Sequence, residues 1–344
     1  MQGINQRNAA GKNFIALFRK HTTTAGLISS LLMGSQSDKI SKNRMLSRNL
    51  QGGDMKLVTA TAVFLLLGLC PAAWCLDAAQ LRSLSSAELM QQVRMQRCTD
   101  KELDALLPDL QRRFPLFDDR VKALAQLYLG APYVVDPLTN EAADWFPYGA
   151  TNCTMYILYI EALANSRCTA EAREHMRLLH YRSGKVGFTE RYHFTEDRIS
   201  DPANTYFAEI TDAYVRDPHS LRRIALELNR KKDGSLLFGD RLGRWTKKVA
   251  LSYIPRTGFT PQLLAPFPQV LGIAFVKKAN WDQGLIVGHE GLLIEGDLYH
   301  SSVKRGVIME KNYLKAGFPV SQWDGIILFQ LVPQKPAENT GICG

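Results

Sequence analysis

The chain has 344 residues, 46% hydrophobic and 22% charged, enough apolar surface for a domain of roughly 200 to 250 residues with its own core; such proportions exclude a disordered chain and a small disulfide scaffold. The formal net charge of +9 points first to nucleic acid, but residues 1–54 hold eight basic side chains against two acidic ones, and residues 76–344 carry 33 basic against 31 acidic. A folded part this close to neutral removes the main support for a nucleic-acid function, and no nucleic-acid partner is expected.

From Met55 the chain reads as one Lys, an apolar run of thirteen residues from Leu57 to Leu69, the helix-breaking Pro71, and small residues up to Cys75. This is the three-part layout of a secretory signal peptide, and its apolar run falls short of the 20 or so residues that span a bilayer. Residues 55–75 are therefore expected to be a signal peptide and the protein to be exported, periplasmic or secreted, with no stable membrane span after its removal. Residues 1–54 lack sustained periodicity and read as an extension outside the mature protein; the alternative is a basic targeting segment that turns 57–69 into an internal anchor. Residues 76–334 then form a single domain with insertions in 182–268, and residues 335–344 a tail.

Outside the leader the cysteines are Cys98, Cys153, Cys168 and Cys343. An oxidising compartment allows three pairings among four thiols. Cys98 precedes a helix start and Cys168 follows a helix end, the boundary positions that disulfides often join; either they form a bridge or they are two ordinary thiols. Cys343 has no evident partner.

Ser85-Ser-Ala-Glu88 and Thr99-Asp-Lys-Glu102 fit the capping box, in which a hydroxyl and a carboxylate satisfy free backbone N–H groups, and each predicts a helix start. Val121, Leu124, Leu127 and Tyr128 recur on one face of a helix over Asp118–Leu129. Gly130, Pro132 and Pro137 force a loop up to Pro147. Cys153 to Ala164 is apolar on nearly all sides and predicts a buried helix with Cys153 in its first turn; Thr169 to Tyr181 is its solvent-facing partner. Residues 182–268 are polar and proline-punctuated, with one helix expected after Asp217-Pro218. Four β-rich runs follow, 270–276, 285–294, 297–303 and 325–331, with Glu295-Gly-Asp297 as the tight turn of an antiparallel hairpin. Helices first and strands last predict an α+β fold, helices packed on an antiparallel sheet.

Cys153 opens a buried helix, where partial positive charge and free N–H groups favour a thiolate and bind an oxyanion. An inert core thiol is the competing reading. Of the histidines, His175, His180 and His219 are expected to be solvated. His289 and His300 instead flank the predicted hairpin turn, close enough to touch. A Cys followed far downstream by a His and a second polar group is the order of a thiol hydrolase. His289-Glu-Gly-Leu-Leu293 has Leu where a zinc-protease helix needs its second His, and no Cys-x-x-Cys or close His pair supplies a structural zinc site, so no metal and no cofactor are expected.

Gly130-Ala-Pro-Tyr-Val134, Asn152-Cys-Thr-Met-Tyr156, Arg191-Tyr-His-Phe194, Leu271-Gly-Ile-Ala-Phe-Val-Lys-Lys278, His289-Glu-Gly-Leu-Leu-Ile294 and His300-Ser-Ser302, in this order, resemble the N-acetylmuramoyl-L-alanine amidase-like family (DUF1460), within the NlpC/P60 papain-like cysteine hydrolase superfamily. The resemblance covers about residues 100–332. It implies a papain-like core with the nucleophile at a buried helix start, packed on an antiparallel sheet from the C-terminal half. It further implies amide hydrolysis in peptidoglycan or muropeptides, with Cys153 as nucleophile, His289 as general base and His300 orienting the His289 ring. Tyr133 and Asn152 take positions that support the nucleophile or the oxyanion, and Arg191, Tyr192, His193 and Ser301 positions that bind substrate. The family usually has Asp where this chain has Asn152, and Glu where it has Leu158. An endopeptidase cutting between D-Glu and the diamino acid, or a non-catalytic module that binds cell wall or a host partner, are the alternatives.

Overall fold

The computed structural model describes residues 77–344 except 216–217, 259–262, 264–266, 315–321, 336–341 and 344. The expected extension and signal peptide lie outside the described residues.

Both capping boxes form: Ser85 and Thr99 accept the N–H of Glu88 and Glu102, whose carboxylates reach back to the cap N–H groups. After α1 (Ala78–Ser83), they open α2 (Ser86–Gln92) and α3 (Asp100–Arg113). The one-faced repeat becomes α4 (Phe117–Leu127), and the apolar segment becomes α5 (Cys153–Ala164), in which every residue from Met155 to Ala164 is buried. Burying Ile157, Leu158, Ile160 and Leu163 contributes about 1.5–3 kcal/mol each, which makes α5 the hub against which α4 and α6 (Thr169–His180) pack. α6 departs from expectation at its last turn. His180 is 4% exposed, not solvated, because the chain folds back over it and the Tyr192 N–H bonds the His180 carbonyl.

The stretch 182–268 departs further. It contributes α7 (Thr195–Ser200), β1 (Phe207–Glu209), α8 (Thr211–Tyr214), β2 (Arg222–Leu228) and β3 (Lys247–Pro255). The helix expected after Asp217-Pro218 is a single 3-10 turn, Pro218–Ser220. β2 pairs along its whole length with residues 247–253 of β3, Ile224 against Leu251 and Leu226 against Val249. Their inward alternation, Val249-x-Leu251-x-Tyr253, is a strand pattern obscured by the Arg and Lys residues around it.

The remaining strands are β4 (Val270–Val276), β5 (Val287–Ile294), β6 (Asp297–Ser302), β7 (Gly306–Glu310) and β8 (Gly325–Leu331). One antiparallel sheet results, ordered β2-β3-β8-β4-β5-β6-β7, with β1 also on β8. The hairpin between β5 and β6 turns at Glu295 and Gly296, both with positive φ, the two-residue geometry that matches strand twist. Strand alternation feeds two apolar clusters on opposite faces. Ala274, Leu292, Ile294 and Phe329 join the large cluster with α5, whereas Ile273, Phe275, Leu293 and Leu328 join a smaller one with Tyr313 and Leu314. Gly272 leaves room for the Phe329 ring, which a Cβ would meet at 2.0 Å. The fold is thus α+β, as expected.

The disulfide corrects the sequence reading. Cys168 bonds to Cys343, while Cys98 is free, its thiol pushed up to about 12 by burial and then by Glu102. Nothing local marks this pairing, since 175 residues separate the partners. Among the described residues no helix is long and apolar enough to cross a membrane.

Candidate active site

Cys153 is the first residue of α5, and the turn that presents it is tied on both sides. Asn152 caps the helix, accepting the Met155 N–H at 2.8 Å, while its amide nitrogen donates to the Val135 carbonyl at 3.0 Å. An aspartate could do only the first. Behind the turn, the Thr151 N–H bonds the Pro132 carbonyl, the Val134 N–H bonds the Thr151 carbonyl, and Ser301 donates to that same carbonyl at 3.2 Å. The Gly130–Val134 segment is in turn held by β7: the Gly130 N–H bonds Val307 and the Val307 N–H bonds Ala131. Gly306, at φ +69°, packs so tightly there that a Cβ would lie 2.2 Å from the Ala131 oxygen.

On β5, His289 and Glu290 point to opposite faces. The His289 ring stacks against Phe275 and Trp323, and its Nε2 lies 2.7 Å from His300 Nδ1. That contact leaves Nδ1 as the uncommitted nitrogen of His289. His300 continues toward Glu310, its Nε2 3.8 Å from a carboxylate oxygen. Burial, reinforced by His300, pushes His289 down to about 3, and burial also lowers His300. The Cys153 thiol is pushed up to about 11, by burial first and then by the Glu290 charge. At neutral pH the pair is therefore a neutral thiol and a neutral imidazole. Among the described residues no hydrogen bond joins them, though both line one cleft of about 160 Å³.

Tyr133, Asn152, Arg191, Tyr192 and His193 line the same cleft. Asn152 is engaged with Met155 and Val135, and the polar groups of Arg191, Tyr192 and His193 are also engaged within the protein. Arg191 pairs with Glu141 at 2.6 Å and Asp136 at 3.5 Å and donates to the Leu138 carbonyl; Tyr192 donates to Asp201; His193 bonds the Phe188 carbonyl at 2.6 Å and packs between Phe188 and Phe238. Burial pushes His193 down to about 3. Ser301 and His300 are not among the residues lining the cleft: Ser301 bonds the Thr151 carbonyl behind the Cys153 turn, and His300 contacts the cleft residue His289.

The sequence reading missed a buried polar layer under the cleft. Thr195, Glu196, Asp197 and Arg198 are four consecutive polar residues, and all are buried. Glu196 accepts the Ile286 and Val287 N–H groups at 2.7 Å each, and burial pushes its carboxyl up to about 7. Asp197 pairs with Arg182 and Lys247. Arg198 pairs with Glu290 at 2.6 Å. One sign was readable: Glu290 stands in phase with Leu292 and Ile294, a carboxylate on the apolar side of a strand. Cys168, Glu171 and Cys343 form the one group of metal-type donors among the described residues, but both sulfurs are consumed by the disulfide.

Two solved structures share the fold. A Legionella pneumophila protein of the DUF1460 family aligns with TM-score 0.54 and 16% identity over 74% of this chain and 99% of its own. An N-acetylmuramoyl-L-alanine amidase from Bacteroides uniformis aligns with TM-score 0.50 and 19% identity over 62% of this chain and 98% of its own. No curated protein matches the sequence. Residues 123–312, more than half of the chain, match the AmiA-like family described as N-acetylmuramoyl-L-alanine amidase-like, and to that family this protein belongs.

Proposed function

We propose that the protein is an exported cysteine hydrolase that cleaves an amide of peptidoglycan or its fragments, by preference the bond between the muramoyl lactyl group and L-Ala. The observation that carries this reading is the start of a buried helix at Cys153 sharing a cleft with His289, whose far nitrogen is held by His300. Family membership supports amide hydrolysis and a peptidoglycan-related substrate. The Cys168–Cys343 disulfide supports export, since such bonds persist in oxidising compartments.

In this mechanism, which follows the papain-like pattern of NlpC/P60 enzymes, the Cys153 sulfur attacks the scissile carbonyl as its proton passes to His289 Nδ1. Because thiol and imidazole are both neutral at rest, transfer accompanies attack and does not precede it. The Asn152 side chain occupies the Met155 N–H, so the Cys153 N–H, with Tyr133 on the same cleft, receives the oxyanion. His289 then protonates the leaving amine and activates water for deacylation. His300 fixes the ring so that Nδ1 faces the sulfur. Arg191, Tyr192 and His193 shape the cleft, and Ser301 holds the turn from behind.

Mass analysis of defined muropeptides after digestion identifies the bond. A free stem peptide beginning with L-Ala establishes the amidase, whereas cleavage after D-Glu establishes the endopeptidase and overturns the preferred bond.

A further inference from the structure

The side of β5 that faces α5 presents Glu290, and this buried carboxylate touches the nucleophile's own turn. Its Oε1 accepts from the hydroxyl of Thr154, the residue after Cys153, and from Thr195 at 3.0 Å; its Oε2 accepts from Arg198 at 2.6 Å. Arg198 is fully buried and Glu290 is 1% exposed. A buried ion pair gives little net stability over an apolar pair of equal volume, and a negative charge beneath a thiol opposes the thiolate: burial chiefly raises the Cys153 thiol, and the Glu290 charge adds to that rise. Stability and thiol activation therefore leave this arrangement unexplained, while its geometry has a plain consequence. Glu290 follows His289 and Thr154 follows Cys153, so the Glu290–Thr154 bond joins the two reactive residues through their immediate neighbours. A cross-link one residue from each partner fixes the approach of sulfur to imidazole, where misplacement by an ångström can cost about a hundredfold in rate.

Resting on the cysteine-histidine reading above, we propose that Glu290, anchored by Arg198, is a positioning residue that sets the register of Cys153 against His289 through Thr154. The hydrogen-bond acceptor does this work, and the charge serves only to anchor it.

The test uses paired variants of the full chain. Glu290→Leu/Arg198→Met replaces the ion pair with apolar side chains that keep the fold, and Glu290→Gln/Arg198→Met restores an acceptor for Thr154 and Thr195 without charge. The apolar pair is expected to lower kcat on muropeptides about tenfold or more with KM within about twofold; the Gln pair returns kcat to within about threefold of wild type. Thr154→Val should behave as the apolar pair and Thr154→Ser as wild type. Alkylation of Cys153 by iodoacetamide, which needs no turnover, should follow the same order. Wild-type kcat and wild-type alkylation in both the apolar pair and Thr154→Val overturn the proposal. Cys153→Ala separates this failure from the other: if it keeps turnover, the cysteine mechanism fails, whereas if it is dead while the apolar pair and Thr154→Val are unimpaired, only the positioning role fails.

Discussion

At the residue scale, the two groups proposed to react, Cys153 and His289, are shifted in opposite directions chiefly by burial. Burial disfavours charge, so the His289 imidazole is held down at about 3 and the Cys153 thiol up at about 11. The sign for activity follows. The required forms are a neutral base, present above about 3, and a protonated thiol, present below about 11. The kcat/KM profile of the enzyme is thus expected to be flat from about pH 5 to pH 9, without the acid limb near 6.5 that a solvated histidine gives. A limb centred near 6.5 in a steady-state pH series would contradict the buried neutral dyad. Neither shift was legible in the sequence. His289 looked reactive from its place beside a hairpin turn, but its environment comes from Phe275, Trp323 and His300, which lie on three other segments of the chain. His180 shows the same limit: a histidine on a charged helix reads as solvated until a distant segment covers it.

The elements that were legible are those whose signals are local. The capping boxes at Ser85 and Thr99 and the two-residue turn at Glu295-Gly296 each depend on a few adjacent residues, and each forms. β2 and β3 were hidden because their charged outward faces resemble a solvated loop, and the sheet order could not be read because β8, the last strand in sequence, lies between β3 and β4. At α5 the helix start itself carries a prediction. Asn152→Asp keeps the cap to Met155 but loses the donor to Val135 and sets a carboxylate against that carbonyl. The change is expected to cost about 1 kcal/mol in urea unfolding, partly offset by the helix dipole. Stability at or above wild type would show that the Val135 bond contributes nothing.

Across the whole molecule, the Cys168–Cys343 bond ties the C-terminal tail to the start of α6 across a separation of 175 residues. For a loop of this length the chain-entropy argument gives a ceiling of about 5 kcal/mol, with about 2–4 kcal/mol typical. Cys343→Ser should therefore lower the urea midpoint by that order, and a thiol reductant should reproduce the loss in wild type. A midpoint unmoved by either treatment would mean that the tail adds nothing to the fold. The bond lies at the Cys168 end of the α5–α6 pair, whereas Cys153 and His180 line the cleft at the other end, so the reduced protein is expected to keep its cleft chemistry while folded. The expectations for activity depend on the cleft being a site of cysteine chemistry. The most direct measurement is turnover of defined muropeptides by wild type and Cys153→Ala side by side, with folding of both checked by circular dichroism. The account predicts cleavage by wild type and a loss of several orders of magnitude in the variant; near wild-type cleavage by folded Cys153→Ala would contradict it.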